Sequence, residues 1–307
     1  MSEQTASIAS LSVAISRFVL SSPANRLEDF DGQAIFSAPI VGVADGDDPI
    51  FRLFRAVVSP EHIMPRDLLE RHTPRKHGRE RVSVVAWALP FSAPVRASNA
   101  TGGWPSRLYS AARNNGEALN DDLRREVVRL LQGDERSAIA PPHTAEYRAL
   151  RAPDHVFTST WSERHVAFAA GLGRFGLNGG LITRAGQCVR LGSVVTDAPL
   201  EPSRRPGASH KAPCLDNGGD RCGRCAARCP AGAITPHGLD KEKCYAMRNA
   251  IRERALLDYT RSLRLRPLMI VKGDCRETGH SLGCALCMCG VPCEDSWPWE
   301  GEGETHA

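Results

Sequence analysis

Cysteine placement is the feature that most restricts how this chain can fold. Ten of its eleven cysteines lie between Cys214 and Cys293, and none precedes Cys188. A disulfide framework is not expected to crowd one end of a chain of 307 residues, whereas a metal-binding domain is. The sequence therefore predicts two parts, of which only the second is built around metal ligands.

The segment "DRCGRCAARCPAGAI" (220–234) has the form of half an iron–sulfur site. Four thiolates hold each cubane cluster, and in two-cluster ferredoxins the cysteine before the proline ligates the other cluster. Cys222 and Cys225 then belong to one cluster, while Cys229 crosses to the second. Cys214 is the nearest candidate for a third ligand, because the intervening "LDNGGD" is turn-forming and a longer loop costs little closure entropy.

The segment "GCALCMCGVPCE" repeats this pattern near the end of the chain. By the same crossing rule, its last cysteine, Cys293, is predicted to ligate the first cluster. Cys244, in the predicted helix "EKCYAMRNAIRERALLDY", is the best eighth ligand because a helix N-terminus favours an anionic group. The predicted ligands are Cys214, Cys222, Cys225 and Cys293 for cluster I, and Cys229, Cys244, Cys284 and Cys287 for cluster II.

Zinc is the alternative metal, since C-x2-C pairs are also the common element of zinc knuckles. A zinc site made from the two C-x2-C pairs would leave the other predicted ligands without a role, so two [4Fe–4S] clusters are favoured. Cys188 and Cys275 are expected to be small buried apolar residues. Cys289 lies within a cluster loop, where it could substitute as a ligand.

Composition places the chain among ordinary globular proteins, with 42% hydrophobic residues and a formal net charge of +4. This balance neither demands nor excludes nucleic acid, and the basic "RHTPRKHGRER" is predicted to be a solvated loop.

No apolar run is long enough to span a bilayer. The N-terminal "SIASLSVAISRFVL" lacks a basic n-region, so it predicts an amphipathic helix instead of a signal peptide. The expected location is the cytoplasm.

The residues before the cysteine-rich part predict mixed helix and strand. "RVSVVAWALPF" (81–91) is predicted to be a buried strand. "EALNDDLRREVVRLLQ" (117–132) is predicted to be an amphipathic helix that ends at Gly133. "GGLITRAGQCVRLGSVVTD" (179–197) is predicted to be a β-hairpin with "RAGQ" as its turn.

The segment "GLGRFG", from Gly171 to Gly176, matches the dinucleotide-binding pattern G-x-G-x-x-G. That pattern must follow a strand and open a helix. Here it follows the predicted helix "ERHVAFAA" and precedes "LNGGLI", which would break a helix, so nucleotide binding is rejected. Gly171, Gly173 and Gly176 still permit close backbone approach, and they are the predicted cofactor-binding residues.

Four segments together resemble the epoxyqueuosine reductase and reductive dehalogenase superfamily, in particular its shorter branch without C-terminal helical repeats: "WSERHVAFAAGLGRFGLNGGLIT", "RLGSVVTDAPLEP", "CGRCAARCPAGAI" and "GCALCMCGVPCE". The resemblance implies an α+β protein with an N-terminal nitroreductase-like α/β domain, followed by a double-cluster bacterial ferredoxin-like domain. It also implies cobalamin as a candidate cofactor, which would receive electrons from the two [4Fe–4S] clusters.

Two departures from the family pattern weaken a tRNA-modifying role. The proton-donating aspartate of epoxyqueuosine reductases lies in a segment resembling Arg-Asp-Tyr-His, and the matching "RNNG" (113–116) has Asn114 in its place. The helical-repeat extension that helps some members to hold tRNA is not expected, since the sequence stops soon after its last cysteine.

No catalytic residue is assigned from the sequence. Asp121 and Asp122 follow shortly after Asn114, but they lie inside the predicted helix, where solvation is their expected fate. Arg164 and His165 are equally open to a role at a pocket mouth and to a role as a capping pair on a helix.

The favoured function is that of an enzyme, a cytosolic iron–sulfur oxidoreductase that passes electrons through its clusters to a small-molecule substrate in the N-terminal domain. The alternatives are a ferredoxin-type electron-transfer protein without its own substrate, and a tRNA epoxyqueuosine reductase. A flavodoxin or ferredoxin is the expected electron donor, and neither nucleic acid nor a membrane is an expected partner. The predicted divisions are a substrate- or cobalamin-binding domain (1–205), a two-cluster domain (206–299) and a disordered tail (300–307).

Overall fold

The computed structural model describes residues 7–73, 80–132, 136–152, 155–205, 210, 214, 222–259 and 261–297. The helices are, in chain order, α1 (Ile8–Ser21), α2 (Ile50–Val57), α3 (Pro65–His72), α4 (Ala93–Asn99), α5 (Arg107–Leu131), α6 (Glu163–Ala169), α7 (Arg224–Ala227) and α8 (Lys241–Tyr259). The predicted tail 300–307, and 74–79 of the predicted basic loop, lie outside the described residues.

The strands are mostly short. They are β1 (Arg26–Leu27), β2 (Gln33–Ala34), β3 (Ile40–Asp45), β4 (Ser83–Pro90), β5 (Ala138–Ile139), β6 (Ala149–Ala152), β7 (His155–Ser159), β8 (Gly173–Phe175), β9 (Leu181–Thr183), β10 (Val189–Thr196), β11 (Ile234–Thr235), β12 (Gly238–Leu239), β13 (Leu268–Lys272) and β14 (Cys275–Gly279).

A four-stranded antiparallel sheet forms the centre of the N-terminal part, with the strand order β3-β4-β10-β5. β4 is buried over its whole length, which confirms the strand predicted from its apolar sequence. Successive side chains of a strand point to opposite faces. Val85 and Trp87 accordingly pack against α1 and α5, while Val84 and Ala86 pack against α2, α3 and α6. Helices thus cover both faces of the sheet.

Helix α5 begins well before the predicted start at residue 117. Ser106 caps it, since its side chain accepts a hydrogen bond from the Tyr109 N–H at 2.9 Å. The first half of α5 is rich in small and polar residues without helical hydrophobic periodicity, so the sequence pattern does not mark it. Residue 116, in this half, is glycine because a Cβ there would lie 2.6 Å from the Phe36 ring.

The predicted hairpin over 179–197 is only partly right. Thr183 and Gly186 do form a tight turn, in which each amide N–H donates to the other residue's carbonyl at 3.0 and 2.9 Å. β9, however, pairs with β8, while β10 pairs with β4 and β5. Both edges of β10 are occupied within the central sheet, so β10 has no free edge to offer β9.

The cysteine-rich part packs directly on helix α5. It contains α7, α8 and the hairpins β11–β12 and β13–β14. The side-chain amides of Asn114 and Asn115 donate to the carbonyls of Arg266 and Arg264 at 2.8 and 3.0 Å. The N–H of Ser281 donates to Asn114 Oδ1 at 2.9 Å. Two neighbouring asparagines of α5 therefore bind the cysteine-rich part to the N-terminal part.

The fold is α+β, as predicted. Every strand pair in the described part of the chain is antiparallel, which agrees with the rejection of a doubly wound dinucleotide-binding sheet. The finer layout, a nitroreductase-like domain before a ferredoxin-like domain, stays a prediction. None of the described helices is both long and apolar enough to cross a bilayer.

Candidate metal centre

Four of the predicted ligands, Cys214, Cys222, Cys225 and Cys293, are called here the first thiol set. Burial raises the pKa of Cys225 to about 11, and the neighbouring thiols of Cys214 and Cys222 add to that shift. Burial likewise raises the pKa of Cys293 to about 12, with contributions from Cys214, Cys225 and Cys222. The members of the first thiol set are thus close enough to act on one another electrostatically.

The other four, Cys229, Cys244, Cys284 and Cys287, are called the second thiol set. Burial raises the pKa of Cys284, and Cys244 and Cys229 add to the shift. Burial also raises the pKa of Cys287, with contributions from Cys284, Cys244 and, across the sets, Cys225. The thiols that shift these four pKa values belong mostly to the same predicted set, which agrees with the membership assigned to clusters I and II. The ligand assignment itself stays a prediction.

The same backbone turn places one C-x2-C pair in each set. The residue after the first cysteine is left-handed in both, with φ of 54° at Gly223 and 50° at Ala285. A short helical turn follows each of these residues. A left-handed alanine is unfavourable, so its presence indicates that the surrounding structure imposes this conformation. The weak duplication seen in the sequence is therefore repeated in the backbone.

Polar groups from both parts of the chain hold the cysteine loops. Gln187 Nε2 donates to the sulfur of Cys293 at 2.9 Å, and the Ala233 N–H lies 3.3 Å from the sulfur of Cys229. Asn178 Nδ2 donates to the carbonyl of Cys287 at 3.1 Å. Asn178 and Gln187 were missed by sequence reasoning, because a lone amide in a loop has no distinguishing pattern.

The thiols of both sets fit the chemistry of iron–sulfur clusters. The raised pKa values of Cys225 and Cys293 keep these two metal-free thiols protonated near neutral pH, so that metal binding must displace their protons. Among the described residues, no group of three or more His, Cys, Asp or Glu is placed to hold a single metal ion. Each thiolate of a cubane binds a different iron atom, so its ligands stand further apart than those of one ion. The lack of a single-ion site among the described residues therefore leaves the two clusters a prediction.

The three remaining cysteines have different surroundings. Cys188 is buried, as predicted, and its sulfur lies 3.4 Å from the sulfur of Cys289, which is also buried. Asn99 Nδ2 approaches Cys289 Sγ at 3.7 Å. Cys275 is exposed, so the prediction that it is a buried apolar residue is wrong. It begins β14, a strand of a two-stranded hairpin that leaves most of its residues open to solvent.

The glycines of "GLGRFG" lie against the chain itself. A Cβ at Gly171 would lie 2.6 Å from the carbonyl oxygen of Arg204, and one at Gly173 would lie 2.2 Å from that of Ile182. A Cβ at Gly176 would lie 3.1 Å from the Ile182 side chain. These close approaches explain why glycine stands there without a ligand. Their assignment to a cofactor stays a prediction.

Arg164 and His165 point to different surroundings. Arg164 donates to the carbonyl of Gly179 and is the cationic neighbour of Cys244. His165 Nδ1 lies 2.8 Å from Ser162 Oγ, and its ring packs on Phe175 at 4.8 Å between centroids. Burial lowers the pKa of His165 to about 3. His165 is thus a neutral residue of an aromatic cluster at the start of α6.

Asp121 and Asp122 are not simply solvated, and that expectation is wrong. Arg124 Nη1 donates to Asp121 at 2.6 Å, while Arg266 Nη2 donates to Asp122 at 2.8 Å. The packing of the cysteine-rich part on α5 supplies Arg266, which lies far away in sequence. Both carboxylates are therefore held in ion pairs along α5.

The α+β fold and the two four-thiol sets define the class of this protein, which is an α+β protein with two predicted iron–sulfur sites. No family model matches the chain. The epoxyqueuosine reductase of Staphylococcus aureus is 31% identical over 152 residues, which cover 46% of this chain and 37% of that protein. The epoxyqueuosine reductase of Synechocystis sp. is 30% identical over 219 residues, which cover 71% of this chain and 62% of that protein. The resemblance to epoxyqueuosine reductases that the four cysteine- and glycine-containing segments carry is confirmed by these relatives, and the chain spans less than two thirds of their length.

One comparison overturns a prediction. A solved epoxyqueuosine reductase in complex with an epoxyqueuosine-modified tRNA-Tyr stem loop aligns over 77% of this chain and 56% of its own, with 19% identity and a TM-score of 0.37. That protein binds a tRNA stem loop, and it carries the same name as the two relatives above. The prediction that nucleic acid is not an expected partner of this chain is therefore wrong. A formal charge averaged over the whole chain does not reveal how the charges are grouped on its surface.

Proposed function

We propose that this chain is an iron–sulfur reductase, in which two [4Fe–4S] clusters deliver electrons to a substrate bound against the N-terminal part. The observation that supports it best is the division of eight cysteines into two adjacent sets of four. Four thiolates are what one cubane takes. When bound, the clusters would supply single electrons, and the two thiol sets would hold them. The proposed electron donor is a flavodoxin or a ferredoxin.

The names of the relatives favour epoxyqueuosine in tRNA as the substrate. We therefore propose tRNA as a partner of this chain. Asn114 cannot be the proton donor of this reaction, because an amide cannot give up a proton at neutral pH. General acid catalysis contributes on the order of 10²–10⁴ to a rate. If the substrate is an epoxide, the proton must come from another group than residue 114.

Cobalamin remains a candidate carrier between the clusters and the substrate. Two of the glycines predicted to receive it, Gly171 and Gly173, pack against the carbonyls of Arg204 and Ile182. Gly171 and Gly173 therefore do not offer a free surface to a large flat ligand. No step of the proposal depends on cobalamin. Adding cobalamin to the reconstituted protein and measuring retention on a desalting column tests this separately.

The proposal is tested by anaerobic reconstitution with iron and sulfide, followed by metal analysis. About eight iron atoms and little zinc per chain are expected, because each of two cubanes contains four iron atoms. The reduced protein is then incubated with an epoxyqueuosine-modified tRNA stem loop, and the nucleoside product is identified by mass spectrometry. Stoichiometric zinc without iron contradicts the proposal. Full iron without product, in the presence and absence of cobalamin, favours the electron-transfer alternative.

A further inference from the structure

Two of the cysteines that belong to neither thiol set are in contact with each other. The sulfur of Cys188 lies 3.4 Å from the sulfur of Cys289. Both residues are buried, with 1% and 0% of their surface exposed. The S–S bond of a disulfide is about 2.05 Å long, so each sulfur would need to move by roughly 0.7 Å to form one. A small rotation of each side chain would supply that movement.

The backbone fixes Cys188 beside the end of the cysteine-rich part. The N–H of Cys188 donates to the Glu294 carbonyl at 3.1 Å, and its carbonyl accepts from the Phe91 N–H at 3.0 Å. The N–H of Gln187 donates to the Cys293 carbonyl at 2.9 Å. The residues that lead into β10 are therefore held against residues 293 and 294 before any covalent bond forms.

A different element fixes Cys289, which belongs to the segment 284–293, called here the C-terminal cysteine loop. Its carbonyl accepts from Arg228 Nε at 3.1 Å, and its sulfur faces the side-chain amide of Asn99, the last residue of α4, at 3.7 Å. A Cβ at Gly290 would lie 2.8 Å from the Ala100 carbonyl oxygen, so the loop packs tightly on the end of α4. The sulfur of Cys289 thus points at Cys188 and Asn99, which favours a role other than that of a cluster ligand.

We propose that Cys188 and Cys289 are a redox-sensitive pair that forms a reversible disulfide with a low-molecular-weight disulfide, such as oxidised glutathione, as the oxidant. One thiol attacks a sulfur of oxidised glutathione, loses its proton and releases one glutathione. The other thiol then displaces the second glutathione and loses its own proton. The two cysteines give up two electrons and two protons, which the two released glutathione molecules carry away.

The contact between the sulfurs favours the second of these steps. A thiol held next to a reacting sulfur acts at a high effective concentration, so the mixed disulfide with glutathione is short-lived. Disulfides in reducing compartments are usually transient and redox-sensing, and a reversible pair is of that kind. This inference does not rest on the proposed function, because neither cysteine is a predicted cluster ligand.

Burial determines the order in which the cysteines react. Cys275 is exposed and meets the oxidant directly, so it should acquire a glutathione first. Cys188 and Cys289 meet the oxidant only when the C-terminal cysteine loop opens locally, which makes their reaction slower. Once formed, their disulfide joins the residues before β10 to the C-terminal cysteine loop, and such a cross-link restricts the unfolded chain. The oxidised protein should therefore be more resistant to heat.

The test is treatment of the anaerobically reconstituted protein with oxidised glutathione, followed by blocking of free thiols in denaturant, trypsin digestion and tandem mass spectrometry. Cys188 is the single cysteine of the tryptic peptide 185–190, while Cys289 lies in the peptide 277–307. A link between these two peptides is expected, with fragment ions that place it at Cys289, and dithiothreitol should remove it. The melting temperature should rise on the order of 5 °C on oxidation.

Three variants make the result specific. Cys289→Ser and Cys188→Ser should show neither the link nor the rise in melting temperature. Cys275→Ser is the matched control and should keep both, because this cysteine lies outside the pair. The wild-type measurement alone already decides the matter, so a variant that fails to fold does not weaken the test.

Four results would overturn the inference. They are complete glutathione addition at Cys275 without a link, a stable glutathione adduct on Cys188 or Cys289, a link that persists in Cys289→Ser, and a link that leaves the melting temperature unchanged. The iron content of the reconstituted protein is measured separately. Absence of iron would contradict the proposed function, while the link between the two peptides would still be expected.

Discussion

Asn114 stands where the sequence resemblance predicts an acid, and none of its surface is exposed. Its amide nitrogen donates to the Arg266 carbonyl at 2.8 Å and to Asn115 Oδ1 at 3.0 Å, and its oxygen accepts from the Ser281 N–H. Two of these three hydrogen bonds reach the cysteine-rich part, and the third links Asn114 to its neighbour in α5. This residue is a structural clamp in the present conformation.

Restoring the acid should therefore weaken the protein. Asn114→Asp removes both donors and sets a carboxylate oxygen against a buried carbonyl, and such unmet groups cost about 1–3 kcal/mol each. We expect a loss of a few kcal/mol in the free energy of unfolding, measured by urea titration. Asn249→Asp is the control, because Asn249 is half-buried and makes no side-chain hydrogen bond to another described residue. Equal stability of Asn114→Asp and wild type would show that the clamp is not formed.

His62 should make the stability of this protein depend on pH. Burial lowers the pKa of His62 to about 4, and Arg55 adds to the effect, although a bond to the Ile63 carbonyl opposes it. The unfolded chain, with a pKa of 6.5, binds the proton more readily. Stability is thus full above pH 6.5 and is lost as pH falls toward 4.

Replacing His62 isolates this contribution. At pH 5 the wild type should lose about 2 kcal/mol more than His62→Gln, relative to each protein at pH 7. Urea titrations at the two pH values measure the difference. His237→Gln, at an exposed turn, should follow the wild type. An unchanged pH dependence in His62→Gln would mean that His62 is accessible to protons in the folded state.

Among the elements, the pairing of β4 with β10 in the central sheet requires glycine at residue 192. Gly192 of β10 lies opposite Trp87 of β4, and a Cβ at residue 192 would come within 2.6 Å of the indole ring. Trp87 cannot move easily, because its Nε1–H donates to Asn120 Oδ1 at 2.8 Å. Space for the indole is therefore made by the glycine.

Gly192→Ala should consequently destabilise the sheet by about 1–3 kcal/mol, the usual cost of overpacking a core. Thermal unfolding followed by near-ultraviolet circular dichroism reports both the stability and the environment of Trp87. Gly103→Ala is the matched control, since nothing lies within 4 Å of its added Cβ. A melting temperature that falls equally in both variants would argue against the contact with Trp87.

The elements also show where sequence patterns suffice. β4 and α8 were predictable because a continuous apolar run and a long run of helix-forming residues are local signals. The first half of α5 was not, because its small and polar residues are buried by Arg264 and Arg266, which lie on a distant segment. The partner of β10 was missed for a similar reason, since strand pairing is decided across the fold and not at the turn.

For the molecule as a whole, the cysteines were the most predictable part of the site. Spacing and the Cys-Pro motif predict the ligands, and the pKa shifts of Cys287 and Cys293 arise mostly from thiols of the same predicted set. The proximity of Arg248 to Cys244 had a local signal, their spacing of one helical turn in α8. Arg113 and Arg164 come from separate helices, so only the assembled fold places them beside the thiols. The predicted ligands can thus be recognised from local sequence, whereas the basic side chains that lie beside them cannot.

The predicted wiring follows from this grouping and can be tested by removing one ligand at a time. Cys284→Ser should abolish the cluster of the second thiol set and leave about four iron atoms per chain, since one cubane remains. Cys293→Ser should likewise leave about four, with the other cluster's signal retained in electron paramagnetic resonance. Cys275→Ser is the matched control, because this exposed cysteine belongs to neither set, and it should keep about eight. Loss of half the iron in Cys275→Ser, or full iron in Cys284→Ser, would show that the ligand assignment is wrong.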